Sequence, residues 1–331
     1  MINQRLCGLG RRLAACLAVA AAAGGGALAD EAADYPQRPV KIVVGYSPGG
    51  ATDVIARLVA TELSSELGQS FIVENKPGAG GNIATENVIR SKPDGYTLLV
   101  LTIQNATNMS VYKNIGYDTN KDLQPIAQFM ASPSVLVASP KLQIDSLQAL
   151  IKTAKADPTA LSYASTGVGG SPHLAGEMLK SRAGIDMLHV PYKGTAPAMT
   201  DVIAGNVSVS FMTTLGVLEQ MQSGKMRPLA VAYGSRLAEL PNVPTMAEAG
   251  LPDFEVTSWN GLAAPAGTPP AIVEKLSAAV NRILQKPAIQ ERVRGLGGQA
   301  VLRNPQEFAA YVQAETDKWA QVVKAANISM D

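Results

Sequence analysis

Cysteine is nearly missing from this 331-residue chain: Cys7 and Cys16 are the only two, both close to the N-terminus. Histidine is equally scarce, with His173 and His189 alone. The basic and acidic residues almost cancel, 28 Lys and Arg against 27 Asp and Glu, so no field strong enough to gather nucleic acid or an anionic membrane surface follows. No His-x-x-x-His pair stands beside the missing thiols, which removes the usual zinc sites. Beyond the N-terminus no run is long and apolar enough to span a bilayer.

The N-terminus reads as a leader, residues 1–29. Arg5, Arg11 and Arg12 precede an apolar stretch over residues 13–23, and Ala27-Leu28-Ala29 before Asp30 fits a small-x-small cleavage site. Leu13-Ala14-Ala15-Cys16 stands before the apolar stretch rather than at its end, so it is not placed as a lipoprotein box. Cleavage would remove both cysteines, leaving no thiol for a disulfide, a nucleophile or a metal. Of the 28 basic residues three would go with the leader, leaving 25 and a net charge of about −2. The expectation is an exported, periplasmic protein of about 300 residues, enough for two lobes.

Residues 46–53, Tyr-Ser-Pro-Gly-Gly-Ala-Thr-Asp, follow the β-branched run Val40, Ile42, Val43, Val44 and precede the helical spacing Val54, Ile55, Leu58, Val59, Leu63, Leu67. Strand, glycine turn and helix in that order aim unpaired helix N–H groups at whatever lies beyond the strand, and a small anion suits them. Strands at residues 71–74 and 96–102 alternate with helical segments, which predicts a largely parallel sheet covered on both faces. The second of these strands runs into Thr102-Ile103-Gln104-Asn105-Ala106-Thr107-Asn108, read as a polar segment facing the same crevice.

Residues 125–138 then suit a long extended segment leaving a first lobe, and residues 256–265 a return. Between them lies a second α/β series, and helices at 270–284, 287–294 and 305–326 complete the first lobe. The expected division is 30–132 with 257–331 as lobe 1 and 133–256 as an inserted lobe 2. In lobe 2, residues 165–173 repeat the strand-turn-helix logic, with Ser171 as N-cap and Pro172 as first helical residue. Pro191-Tyr192-Lys193-Gly194-Thr195 does the same before a further helix.

Other chemistries fit less well. Ser171 and His173 could be cast as a hydrolase pair for a small ester or amide, but no Gly-x-Ser-x-Gly elbow exists, and the two-residue spacing puts them on different helix faces. Gly295-Leu-Gly297 follows a helix rather than a strand, so it is not a dinucleotide turn. The glycines at 78–81 lack the Lys-Ser/Thr of a phosphate loop. No cofactor is expected. At the start of a helix, Asp53 is read as a structural residue favoured by the macrodipole.

Five segments carry a resemblance. Val-Gly-Tyr-Ser-Pro-Gly-Gly-Ala-Thr-Asp, Val-Glu-Asn-Lys-Pro-Gly-Ala-Gly-Gly-Asn, Pro-Asp-Gly-Tyr-Thr-Leu-Leu, His-Val-Pro-Tyr-Lys-Gly-Thr-Ala-Pro-Ala-Met-Thr-Asp and Trp-Asn-Gly-Leu-Ala-Ala-Pro-Ala-Gly-Thr-Pro resemble, in order, the signature blocks of the Bug (TctC-like) family. These are extracytoplasmic solute-binding proteins of tripartite tricarboxylate transporters. The resemblance implies a type II periplasmic-binding-protein-like α/β fold, two α/β lobes joined by two crossing strands. It implies no enzyme activity, a small organic acid or amide as ligand, the membrane subunits of a transporter as possible partner, and a monomer. It further implies that backbone N–H groups, hydroxyls and waters hold the ligand. Carried over by position, the contacts fall near Tyr46, Gly49, Gly50, Thr52, Thr102, Gln104 and Asn105 on one lobe. On the other they fall near Ser165, Thr166, Gly167, Ser171, Tyr192, Gly194 and Thr195. Many members carry an Asp-Asn pair where this chain has Thr213-Thr214, so an acidic reader of a ligand amine is not expected here.

Overall fold

The computed structural model describes residues 34–330 apart from 193, 215 and 216. The leader read from residues 1–29 lies outside the described residues. The chain begins with β1 (Val40–Val44), α1 (Ala51–Leu67), β2 (Phe71–Asn75), a 3-10 turn (Ala79–Gly81) and α2 (Asn82–Ile89). It continues through β3 (Thr97–Thr102), α3 (Ile103–Val111), α4 (Thr119–Asp122) and the sixteen-residue β4 (Leu123–Ala138). Next come α5 (Leu147–Ala156), β5 (Ser162–Ser165), α6 (Ser171–Ala183), β6 (Leu188–Pro191), α7 (Thr195–Ala204), β7 (Val209–Thr213), α8 (Leu218–Gln222) and β8 (Arg227–Ala232). The long β9 (Thr257–Pro265) leads to α9 (Pro270–Gln285), α10 (Pro287–Gly295) and α11 (Pro305–Ala325).

The strands run in the order β2-β1-β3-β9-β4-β7-β5-β6, with β8 also on β4. The strand-helix-strand units pair in parallel, β1 with β2 and β3, and β5 with β6 and β7. The sheet is therefore less parallel than the alternation of strands and helices predicts. The two long strands are antiparallel to their neighbours because one leaves and the other returns: β9 pairs with β3 and β4, and β4 pairs with β7 and β8. On β4, pairing with β9 extends to Pro133 opposite Thr257, and from Ser134 onward its partners are β7 and β8. One strand thus belongs to two sheets, each wrapped by its own helices. Helix α11 packs under the β9 end, where Trp259, Phe308 and Trp319 are fully buried.

Two local readings change. The polar segment after β3 is not a loop: α3 begins at Ile103, directly after Thr102, and Asn105, Thr107 and Asn108 are buried. Helix α6 is capped by Gly170, with Ser171 already helical and Pro172 in the first turn, so the N-cap stands one residue earlier than predicted.

Candidate functional site

The turn after β1 is braced by its own carboxylate. Gly49 has φ +80°, a conformation glycine adopts without strain, and Gly50 is the N-cap of α1. Asp53, 2% exposed, accepts the Gly49 N–H and the Arg57 Nε–H on Oδ2 at 2.9 and 3.0 Å. Its Oδ1 accepts the Asn75 amide at 2.8 Å, and that amide also donates to Tyr46 O at 3.0 Å. Burial alone would raise the Asp53 carboxyl, but the Arg57 guanidinium, the Gly49 N–H and the Asn75 amide together hold it below the usual range. Asp53 therefore braces this turn as a fixed part of the protein. Gly49, Gly50 and Thr52 form the rim, and Thr52 is tied across to Asn260 at 3.5 Å.

The second wall is α3. The Asn105 side chain accepts the Thr102 N–H at 2.9 Å and donates to Thr85 Oγ1 at 2.8 Å, an anchor made of buried groups. The Tyr46 hydroxyl lies 3.1 Å from Thr102 Oγ1 and donates to Gln104 Oε1 at 3.0 Å. Burial pushes this phenol up to about 12, with the Thr102 hydrogen bond opposing, so it stays a donor at neutral pH. One turn on, the Asn108 amide donates to Asn82 Oδ1 at 2.6 Å and Gly80 O at 3.1 Å.

Loop 165–170 faces this helix. The Ser165 hydroxyl accepts the Gly167 N–H at 3.2 Å and lies 2.7 Å from His189 Nε2. The Gly169 N–H donates to His173 Nδ1 at 3.0 Å. Gly169 has φ +74°, and a Cβ there would stand 2.8 Å from Val111 Cγ1, so the loop rests directly on the end of α3. Behind it, the Tyr192 N–H donates to Ser165 O at 2.9 Å and the Tyr192 hydroxyl to Asp201 at 2.6 Å. Gly194 caps α7 with φ +115°, and Thr195 opens that helix on the surface.

Between these walls lies a cavity of about 330 Å³ lined by Tyr46, Gly80, Gln104, Asn108, Val111, Tyr112, residues 166–170 and Met330. Of the residues named from sequence, Tyr46, Gln104, Thr166 and Gly167 line it together. Thr102 stands one bond behind Tyr46, while the side chains of Asn105 and Ser165 are turned into buried hydrogen bonds. Gly49, Gly50, Thr52, Ser171, Tyr192, Gly194 and Thr195 lie outside the lining. Sequence reasoning missed Gly80, Asn108, Val111, Tyr112, residues 168–170 and Met330 as lining. A signal existed for three of them: a helix starting at Thr102 sets Gln104, Asn108, Val111 and Tyr112 on one face. Met330 carried none; it is brought in by its N–H donating to Val111 O at 2.7 Å.

No charged side chain is among the described residues lining this cavity, and no described cluster of three or more His, Cys, Asp or Glu could hold a metal. Acid-base chemistry at Ser171 and His173 finds no support, because His173 Nδ1 is occupied by the Gly169 N–H. A larger groove of about 460 Å³ runs between α6 and α11, but its Lys180 is already paired with Glu177 at 2.9 Å and Asp186 at 3.0 Å. It also lies away from the strand ends, where an α/β sheet opens its ligand crevice.

Residues 55–328 match the family described as the tripartite tricarboxylate transporter family receptor. The chain is 38% identical over 315 residues to protein BugT of Bordetella pertussis, covering 95% of this chain and 97% of that one. Among solved structures it is similar to R. palustris Rpa4515 with adipate, at 36% identity and TM-score 0.79, covering 89% of this chain and all of that one. It is also similar to MatC from Rhodopseudomonas palustris with bound malate, at 33% identity and TM-score 0.76, covering 87% of this chain and all of that one. The periplasmic binding protein BugD is a further neighbour, at 37% identity and TM-score 0.76, covering 89% of this chain and all of that one. Among the described residues no helix is long and apolar enough to cross a membrane. With a matched segment spanning most of the chain and these receptors as neighbours, the protein belongs to the tripartite tricarboxylate transporter receptor family, the Bug (TctC-like) solute-binding proteins, and is a receptor rather than an enzyme.

Proposed function

We propose that this receptor captures a small carboxylated or amide-bearing metabolite in the cavity between α3 and loop 165–170 and presents it to the membrane subunits of a transporter. The observation that carries this reading is the lining itself, in which Tyr46 and Gln104 on one side meet Thr166 and Gly167 on the other. The Gln104 amide, whose Oε1 accepts the Tyr46 O–H, and the Thr166 hydroxyl are neutral donors suited to a carboxylate. Charge-assisted hydrogen bonds contribute about 1.5–3 kcal/mol each, and micromolar affinity needs about −8 kcal/mol. Three such bonds supply about 4.5–9 kcal/mol, and burying the ligand's apolar carbons adds to that, without an arginine clamp. Because Gly49, Gly50 and Thr52 lie outside the lining, the ligand's charge is taken by Gln104 and the facing loop. The adipate and malate bound by the two neighbours support the same ligand class.

In this proposal lobe 1 comprises 30–132 and 257–331, and lobe 2 comprises 133–256. The partner exchange of β4 at Pro133 and Ser134 supports that division. The Thr214 hydroxyl, donating to Gly297 O at 2.5 Å, ties the lobes behind the hinge. A leader over residues 1–29 would export the protein to the periplasm as a monomer. A thermal-shift panel of adipate, malate, citrate and their amides tests the function. At a hundred times Kd, a bound ligand adds about 2.7 kcal/mol and raises Tm by several degrees. If no carboxylate or amide at millimolar concentration moves Tm, the proposal fails.

A further inference from the structure

Loop 165–170, one wall of the cavity, hangs from two imidazoles. His189 Nε2 lies 2.7 Å from Ser165 Oγ at its start, and His173 Nδ1 accepts the Gly169 N–H at 3.0 Å near its end. The rings stack, with centroids 4.0 Å apart and planes 16° from parallel, and Tyr163 stacks on His189 at 4.9 Å. An imidazole that accepts a backbone N–H at Nδ1 is neutral there; a proton on that nitrogen sets donor against donor. Gly169 also abuts Val111 across the cavity, so any displacement of it is felt on both walls.

We infer that His173 and His189 are positioning residues for the ligand loop, and that ligand capture is thereby proton-linked, the solute being held while the rings are neutral and released as His173 takes up a proton. The inference rests on the proposed site, since it needs the ligand to touch residues 166–170.

The charged groups around the stack are Glu177 and Lys180 on α6, paired at 2.9 Å, and Asp186, bonded to Lys180 at 3.0 Å. Lys318 of α11 lines the groove beside Glu177. Glu177 also accepts the Tyr163 hydroxyl at 2.6 Å. Glu177 favours the imidazolium, but burial first and the His189 ring second push His173 down to about 4, and burial lowers His189 as well. The ring that accepts the Gly169 N–H stays neutral down to about 4, and a proton taken up below that breaks the bond. Affinity is then full at neutral pH and falls as pH drops through about 4.

Calorimetric titration with adipate at pH 7.5 and 3.5, on the wild type and His173→Asn, tests this. Asn Oδ1 can accept the Gly169 N–H but does not titrate, and both proteins meet the same ionisation of adipate. The expected result is a wild-type Kd that weakens at least threefold more between pH 7.5 and 3.5 than that of His173→Asn. Parallel profiles, or a wild type flat over this interval, overturn the inference. Should His173→Asn fail to fold, His173→Gln, which also accepts a hydrogen bond without titrating, is the second variant, with the same two outcomes. If adipate binds at neither pH, the proposed adipate binding fails, and the loop is read directly by NMR. A Gly169 amide shift that tracks the His173 titration supports the inference, and one that ignores it overturns it.

Discussion

Gln104→Trp is expected to weaken carboxylate binding at least a hundredfold, measured by calorimetry with whichever ligand gives the largest thermal shift, while the urea unfolding midpoint stays unchanged. Gln104 is half-buried on the cavity face of α3, and its side chain bonds only to Tyr46 among the described residues. That position is helical and open on one side, so an indole fits the helix but occupies much of the 330 Å³ that the ligand needs. A hundredfold loss corresponds to about 2.7 kcal/mol, within what one steric block and one lost amide donor supply. Gln104→Ala separates the two contributions: it enlarges the cavity, removes the donor, and should cost about tenfold. If Gln104→Trp binds as the wild type does, the ligand is not held against α3.

Trp259→Ala should destabilise the protein by about 3–5 kcal/mol, read as a lower urea midpoint. Trp259 is fully buried on β9, meets Phe308 and Tyr311 edge-on with ring centroids 5.7 Å away in each case, and donates its indole N–H to Glu315 at 3.3 Å. Glu315, 5% exposed, also accepts the Trp319 indole at 3.1 Å and pairs with Lys318. Removing Trp259 thus opens a cavity and strips one donor from a buried carboxylate, between the returning strand and the helix that covers it. Trp259→Phe, which keeps most of the volume, should cost less than half as much. A loss below about 1 kcal/mol for the alanine variant would show that α11 is not held to β9 by this cluster.

The segment Trp-Asn-Gly, conspicuous in sequence as part of a family resemblance, thereby gains separate physical reasons. Trp259 pins α11, Asn260 reaches Thr52 on the rim of the glycine turn, and Gly261 leaves the space that the Phe308 ring occupies. The strands, most helices and both long crossing strands were legible because β-branched runs, turn residues and helical spacing agree along the chain. Asn105 stands out in sequence only as part of a polar segment, because a buried Asn that anchors a helix start carries the same chemistry as an exposed one; only its partners Thr102 and Thr85 distinguish them. The antiparallel pairing of β4 and β9 follows from chain direction across the whole molecule, which no local pattern encodes. The same holds for Met330, about 220 residues from the helix whose end it covers. Asp53 is structural, as its place at a helix start suggests: both of its oxygens are taken by the Arg57 guanidinium, the Asn75 amide and the Gly49 N–H.

In the proposed function a small acid sits between α3 and loop 165–170, and a crystal structure of the protein grown with the best-stabilising carboxylate decides whether it does. Density for the acid within hydrogen-bonding distance of Tyr46, Gln104 and the loop residues Thr166 and Gly167 is the predicted result. Density instead in the groove lined by Glu177, Lys180 and Lys318, with the cavity at Gln104 holding only water, would contradict it.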